Sequence, residues 1–139
     1  MAADIGLTHV ALQVSNPDAS VAFYEKYAAM RVVHRRVDQP SGHTVVWLSD
    51  HTRPFVIVLI EQPAIDAPLR PISHLGVGCV SREEVDRLCA EARREGCLHS
   101  GPTDSGYPIG YWAFLSDRDG NTLEISYGQE VALTVAHSS

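Results

Sequence analysis

The sequence predicts an α+β protein made of two β-α-β-β-β modules, and three observations carry that reading. The stretches "LTHVALQVSNPDASVAFYEKY" from Leu7 and "ISHLGVGCVSREEVDRLCAEA" from Ile72 share one plan: a hydroxyl residue, a His, an apolar run of strand length, then a helix. His9 and His74 are 65 residues apart, as are Trp47 and Trp112, so two rare residue types recur at one offset. After each helix come three runs rich in the β-branched and aromatic residues that strands favour.

In the first module "HVALQV" is the opening strand, and it stops at "SNPDAS", where Asn16 caps a helix with Pro17 at its first position. That helix is expected to run to about Met30. The strands "RVVHRRV", "TVVWLS" and "FVIVLIE" follow, separated by the turn signals "QPSGH" and "DHTRP". In the second module "HLGVGCV" is the strand, "SREE" a capping box of Ser81 and Glu84, and Gly96 the glycine that stops the helix. A weak strand near "CLHSG" comes next, then "YWAFLS", then "TLEISYG" after the turn "DRDGN".

The chain of 139 residues is long enough for one compact domain, 1–139, with its own core. Module one spans about 5–61, a Pro-rich linker about 62–70, module two about 71–128, and 129–139 read as a loosely held tail. The net charge of −6, without a run of Lys or Arg, argues against nucleic acid and an anionic membrane surface as partners. No apolar run approaches the roughly 18 residues of a membrane span. Three cysteines in no metal-finger spacing read as reduced thiols, and a cytoplasmic location is the expectation.

Side chains alternate across a strand, so His9, Ala11 and Gln13 share one face while Val10, Leu12 and Val14 share the other. The same parity sets His74, Gly76 and Gly78 opposite Leu75, Val77 and Cys79. Each His therefore points away from the apolar face, beside residues with little or no side chain. In "NTLEISY", Glu124 alternates with Leu123 and Ile125 and is an acid on the polar face. Two His and one carboxylate match the facial triad that holds a divalent metal and leaves coordination positions open. His9, His74 and Glu124 are the candidate ligands, although a lone strand His is more often a hydrogen-bonded structural residue.

These residues and the paired modules resemble the vicinal oxygen chelate superfamily, which groups glyoxalase I, extradiol dioxygenases, fosfomycin-resistance thiol transferases and bleomycin-resistance proteins. The likeness covers roughly residues 5 to 128, and its most telling parts are the segment from Leu7 and "DRDGNTLEIS". It implies an incompletely closed, eight-stranded, barrel-like sheet with helices outside, and metal ligands at His9, His74 and Glu124. It also implies a homodimer in which the metal sites can be shared between chains.

Where glyoxalase I places a second Glu as ligand and base, and extradiol enzymes a catalytic His nearby, this chain has Ile57 or Val58. Neither binds metal or moves a proton, which counts against ordinary glyoxalase I chemistry. The Tyr that extradiol enzymes commonly carry before the Glu-bearing strand has Phe114 as its nearest match, with Tyr111 three residues earlier. Fosfomycin-type recognition of a phosphonate calls for basic donors, and "SGPTDSGYPIG" has no Lys or Arg.

The favoured reading is an enzyme using Fe(II) or Mn(II), with Zn(II) or Ni(II) less favoured, on a small substrate with two adjacent oxygens, in an extradiol-dioxygenase-like reaction. A glyoxalase-type isomerase or lyase, or a non-catalytic small-molecule binding or resistance protein, are the alternatives. Tyr107 and Tyr111 are candidates for polar contacts or proton transfer, against an ordinary role as aromatics at the core rim. His99 is a candidate base if it titrates near neutrality, and His34, His43 and His51 receive no role.

Overall fold

The computed structural model describes Asp4 and residues 7–138. The fold is α+β, and the chain divides into two compact units, one up to Pro68 and one from Leu69. The first unit contains β1 (His9–Val14), α1 (Pro17–Ala28), β2 (Arg31–Val37), β3 (Thr44–Ser49) and β4 (Val56–Glu61). The second contains β5 (Leu75–Gly78), α2 (Arg82–Glu95), β6 (Leu98–Asp104), β7 (Tyr111–Ser116), β8 (Thr122–Tyr127) and α3 (Val131–His137). No described helix is long and apolar enough to cross a membrane.

Each unit has one four-stranded mixed sheet, ordered β1-β4-β3-β2 in the first and β5-β8-β7-β6 in the second. The first strand of each pairs in parallel with the last, and the remaining pairs are antiparallel. A parallel pair needs a crossover, and the helix supplies it. The two modules thus repeat one topology, as the doubled His motif predicts.

The helices start where the sequence says they should. Asn16 Oδ1 accepts from the Ala19 amide at 3.1 Å, with Pro17 at the first position, and Ser81 Oγ accepts from the Glu84 amide at 3.1 Å. A cap of this kind stabilises a helix by about 1 kcal/mol. Only half of the expected capping box is used, because the Glu84 carboxylate turns to the Arg87 guanidinium at 2.9 Å. The first helix also ends earlier than expected: Ala29 adopts a left-handed conformation (φ 52°) and the chain turns into β2.

In the second unit, Val85, Leu88, Cys89 and Ala92 form the buried stripe of α2, which packs on β6, β7 and β8. Leu115, Leu123 and Ile125 are fully buried beneath it, each stabilising the fold by roughly 1.5–3 kcal/mol. In the first unit α1 packs on β3 and β4, with Tyr24, Val46, Leu48 and Leu59 buried.

Two further expectations change. The weak strand near "CLHSG" continues to Asp104 and pairs with β7, with register shifts on either side of Ser100. Gly101 and Pro102 hid this strand, and the irregular pairing around them is what accommodates both residues. The tail forms α3, a seven-residue helix with no buried side chain.

Sheet register identifies which residues of the two modules are equivalent. Ala11 pairs with Val58 as Gly76 pairs with Glu124, so Val58, and not Ile57, is the counterpart of Glu124. On the other side of those strands Trp47 pairs with Val58 and Phe114 with Glu124. The counterpart of Trp47 is therefore Phe114. Trp112 pairs with Ser126 and corresponds to Val45, so the shared offset of the two tryptophans is a coincidence, while that of the two histidines is not.

Candidate metal centre

Alternation along β8 and its neighbours sorts module two into two faces. Leu123, Ile125, Ala113, Leu115 and Tyr111 face α2, while Glu124, Ser126, Trp112, Phe114, Gly76 and Gly78 face the other way. His74 immediately precedes β5, and its ring lies 4.9 Å from that of Phe114, on the face that carries Glu124.

His74 is oriented from behind. Its Nδ1 lies 2.8 Å from the Pro71 carbonyl, which can only accept, so Nδ1 carries a proton and Nε2 is the nitrogen left to face Glu124. That Nε2 is 3.5 Å from Glu124 Oε1. A neutral imidazole lone pair and a carboxylate oxygen repel at this range unless positive charge, a proton or a cation, lies between them. The carboxylate is largely buried, at 10% side-chain exposure, and its Oε2 accepts from the Gln129 side-chain amide at 3.0 Å. A carboxylate and an imidazole presented in this way, each with an outer hydrogen bond fixing it, are the donors a divalent transition metal takes.

The surroundings are apolar. Phe114 lies between His74 and Trp112, with ring centroids at 4.9 and 4.8 Å, and the His99 ring is 6.4 Å from Phe114. A Cβ on Gly76 would come no closer than 3.9 Å to Glu124 Oε2, and one on Gly78 would meet nothing within 4 Å. The glycines thus leave open space above the sheet, as the sequence pattern suggests.

The other candidates are placed differently. His9 opens β1 in module one, exposed, with Nδ1 2.9 Å from the Thr8 hydroxyl. Within each module, among the described residues, no three His, Cys, Asp or Glu side chains form a group able to hold a metal ion. Tyr111 does not join His74 and Glu124: its ring is on the helix side, its hydroxyl donates to Asp86 of α2, and the Arg82 guanidinium lies 3.8 Å above the ring. The hydrogen bond to Asp86, then burial, raises its phenol above the ordinary range. Tyr107 stands 70% exposed in the loop 105–110, and His99 Nδ1 is 3.4 Å from Ser100 Oγ.

Sequence reasoning missed Gln129, and it reached Phe114 only as the nearest match to a Tyr of the family, without the contact of its ring with Trp112. Strand parity could have set the two rings on the Glu124 face. Nothing comparable points to Gln129, which lies beyond the end of β8, where alternation no longer applies.

The fold and this site define a class of paired-module proteins in which a His stands at the head of the first strand of each module. The match of residues 6–125 to the Glyoxalase/Bleomycin resistance protein/Dioxygenase superfamily is consistent with every one of these features, and the chain belongs to that family. It is 41% identical over 127 residues to the uncharacterised protein PA2024 of Pseudomonas aeruginosa, covering 88% of this chain and 89% of that one.

Among solved structures it is similar to a mutant of the fosfomycin resistance protein FosX from Listeria monocytogenes, in complex with Mn(II) and 1S,2S-dihydroxypropylphosphonic acid. The TM-score is 0.73 at 17% identity, over 94% of this chain and 97% of that one. The trypanothione-dependent glyoxalase I of Leishmania major gives a TM-score of 0.73 at 20% identity, over 96% and 94%. TnmS3, an antibiotic binding protein from Streptomyces sp. CB03234, gives 0.66 at 21%, over 91% and 98%. At these identities the likeness shows a shared fold.

Proposed function

We propose that this protein is a divalent-metal-dependent enzyme acting on a small substrate through two adjacent oxygens, in a dioxygenase-like reaction. The observation that carries the reading is the His74–Glu124 pair, whose Nε2 and Oε1 face each other at 3.5 Å while Pro71 and Gln129 engage their far sides. His9 is proposed as the third ligand, from the same chain or from a partner in a homodimer. Fe(II) or Mn(II), in preference to Zn(II) or Ni(II), would supply Lewis acidity to the substrate oxygens.

The chain's own groups do the rest. The Pro71 carbonyl accepts from His74 Nδ1, which leaves Nε2 as the nitrogen that would bind the metal. Phe114 and Trp112 offer two mutually tilted aromatic rings to a flat or partly apolar substrate, which needs few polar contacts once two oxygens are fixed. The Glu124 face of module two has no Lys or Arg among the residues of its central strands, which argues against a phosphonate dianion of the kind FosX holds.

Val58 is aliphatic where Glu124 stands in the other module, so it takes no proton from a substrate. His99, near Phe114, is proposed as the proton carrier, with Tyr107 of the exposed loop as a polar contact. Tyr111 is assigned a structural role on the helix side.

Metal analysis of protein purified without an affinity tag tests the class: iron or manganese near one equivalent is expected, and protein that neither retains nor rebinds a transition metal sinks the reading. Oxygen uptake with a panel of catechols, set against isomerisation of a glutathione hemithioacetal, then tests the reaction. Oxygen uptake is expected; isomerisation without it would favour the glyoxalase-type alternative.

A further inference from the structure

We propose that Gln129 is a positioning residue that selects which oxygen of Glu124 is presented to the metal, and that the loop 105–110 holds Gln129 in place. This rests on the reading of His74 and Glu124 as metal ligands.

The Gln129 side-chain amide donates to Glu124 Oε2 at 3.0 Å, while Oε1 is the oxygen 3.5 Å from His74 Nε2. A carboxylate with one oxygen engaged by a donor offers the other as a single ligand atom. Without that donor it can rotate and chelate through both, consuming a coordination position that a bidentate substrate requires.

Gln129 itself is outside any regular element, between β8 and α3, so no sheet ladder fixes it. The loop does so instead. Glu130 N donates to the Pro108 carbonyl at 3.0 Å, immediately beyond Gln129. Gly110, at φ +86°, lies so close to the segment that a Cβ there would come within 2.5 Å of Tyr127 O, 2.7 Å of Gly128 C and 2.8 Å of Gln129 N. The loop is in turn closed on itself, by Ser105 N to Gly110 O at 2.9 Å and Gly110 N to Gly106 O at 2.7 Å. Tyr107 and Ile109 at its tip are 70% and 46% exposed. An exposed loop and a buried ligand are thereby linked through one amide.

The test is calorimetric titration of the full-length protein with Mn(II), alongside the electron paramagnetic resonance spectrum of the bound ion. Gln129→Leu, which keeps the bulk and removes the donor, should weaken Mn(II) binding about 10- to 100-fold. It should also alter the spectrum as the carboxylate changes its mode of binding, and leave the melting temperature of the metal-free protein unchanged. Gly110→Ala should weaken binding in the same direction without touching a ligand. Unchanged affinity and spectrum in Gln129→Leu, while His74→Ala abolishes binding, would overturn the inference and leave the metal reading standing. Failure of the parent protein to bind Mn(II) would overturn both.

Discussion

His74 turns Nε2 to Glu124 Oε1 at 3.5 Å while its Nδ1–H donates to the Pro71 carbonyl. If a metal stabilises this pair, it stabilises the folded state by mass action, by about 2.7 kcal/mol at a hundredfold excess over the dissociation constant. Adding Mn(II) should therefore raise the melting temperature of the parent protein and leave that of Glu124→Gln and His74→Ala where it was. Equal shifts in all three proteins would remove the pair from the site.

The turn before Glu124 is the next point of leverage. Asp117 Oδ1 accepts from the amides of Asp119 and Asn121, both at 2.9 Å, and Oδ2 from the Asn121 side chain at 3.0 Å, while Asn121 Oδ1 accepts from Leu69 N at 2.8 Å. Both side chains are buried, so Asp117→Ala strands donors that water does not readily reach. A loss of about 3 kcal/mol is expected by urea denaturation. A loss well below 1 kcal/mol would show that the turn holds without it.

His99 and Tyr111 make opposite predictions in turnover. His99→Gln should lower kcat by roughly 100-fold or more, the usual contribution of a positioned proton carrier. Tyr111→Phe should leave kcat within twofold, because its hydroxyl is committed to Asp86 across the sheet from Glu124. A reversal of these two effects in steady-state assays would return Tyr111 to the site.

Alkaline stability follows from the thiols. Burial pushes Cys89 up to about 11 from its ordinary 9.0, and burial together with the Glu84 charge raises Cys79. Above pH 9 the unfolded chain releases protons that the folded chain keeps, so stability falls with rising pH until the folded thiol itself titrates. Melting temperatures should hold below pH 9 and decline toward pH 11, and Cys89→Ala should flatten the decline. An unchanged slope in that variant would assign the effect elsewhere.

Much of this molecule could be read before its coordinates. Caps at Asn16 and Ser81, the αL glycine at Gly96 and every strand but one announce themselves through residue types that act locally. Strand parity does the same for the faces of β1 and β5. What escapes is whatever depends on partners distant in the chain. The strand through Gly101 and Pro102 is held by β7 against its own propensity. The side of the sheet taken by Tyr111 follows from its register with Tyr127, and the support of Glu124 comes from a residue past the strand end. The matching offset of Trp47 and Trp112 shows the converse hazard, since spacing in sequence ignores a shift in pairing that only the ladder reveals.

The equivalence of Val58 and Glu124 has an evolutionary reading. Two copies of one unit have divided their labour: one keeps the acid with its supporting amide, and the other has exchanged the corresponding position for an aliphatic wall. The register that aligns Val58 with Glu124 means that a carboxylate placed at Val58 would start from a backbone position already matched to the acid of the other module.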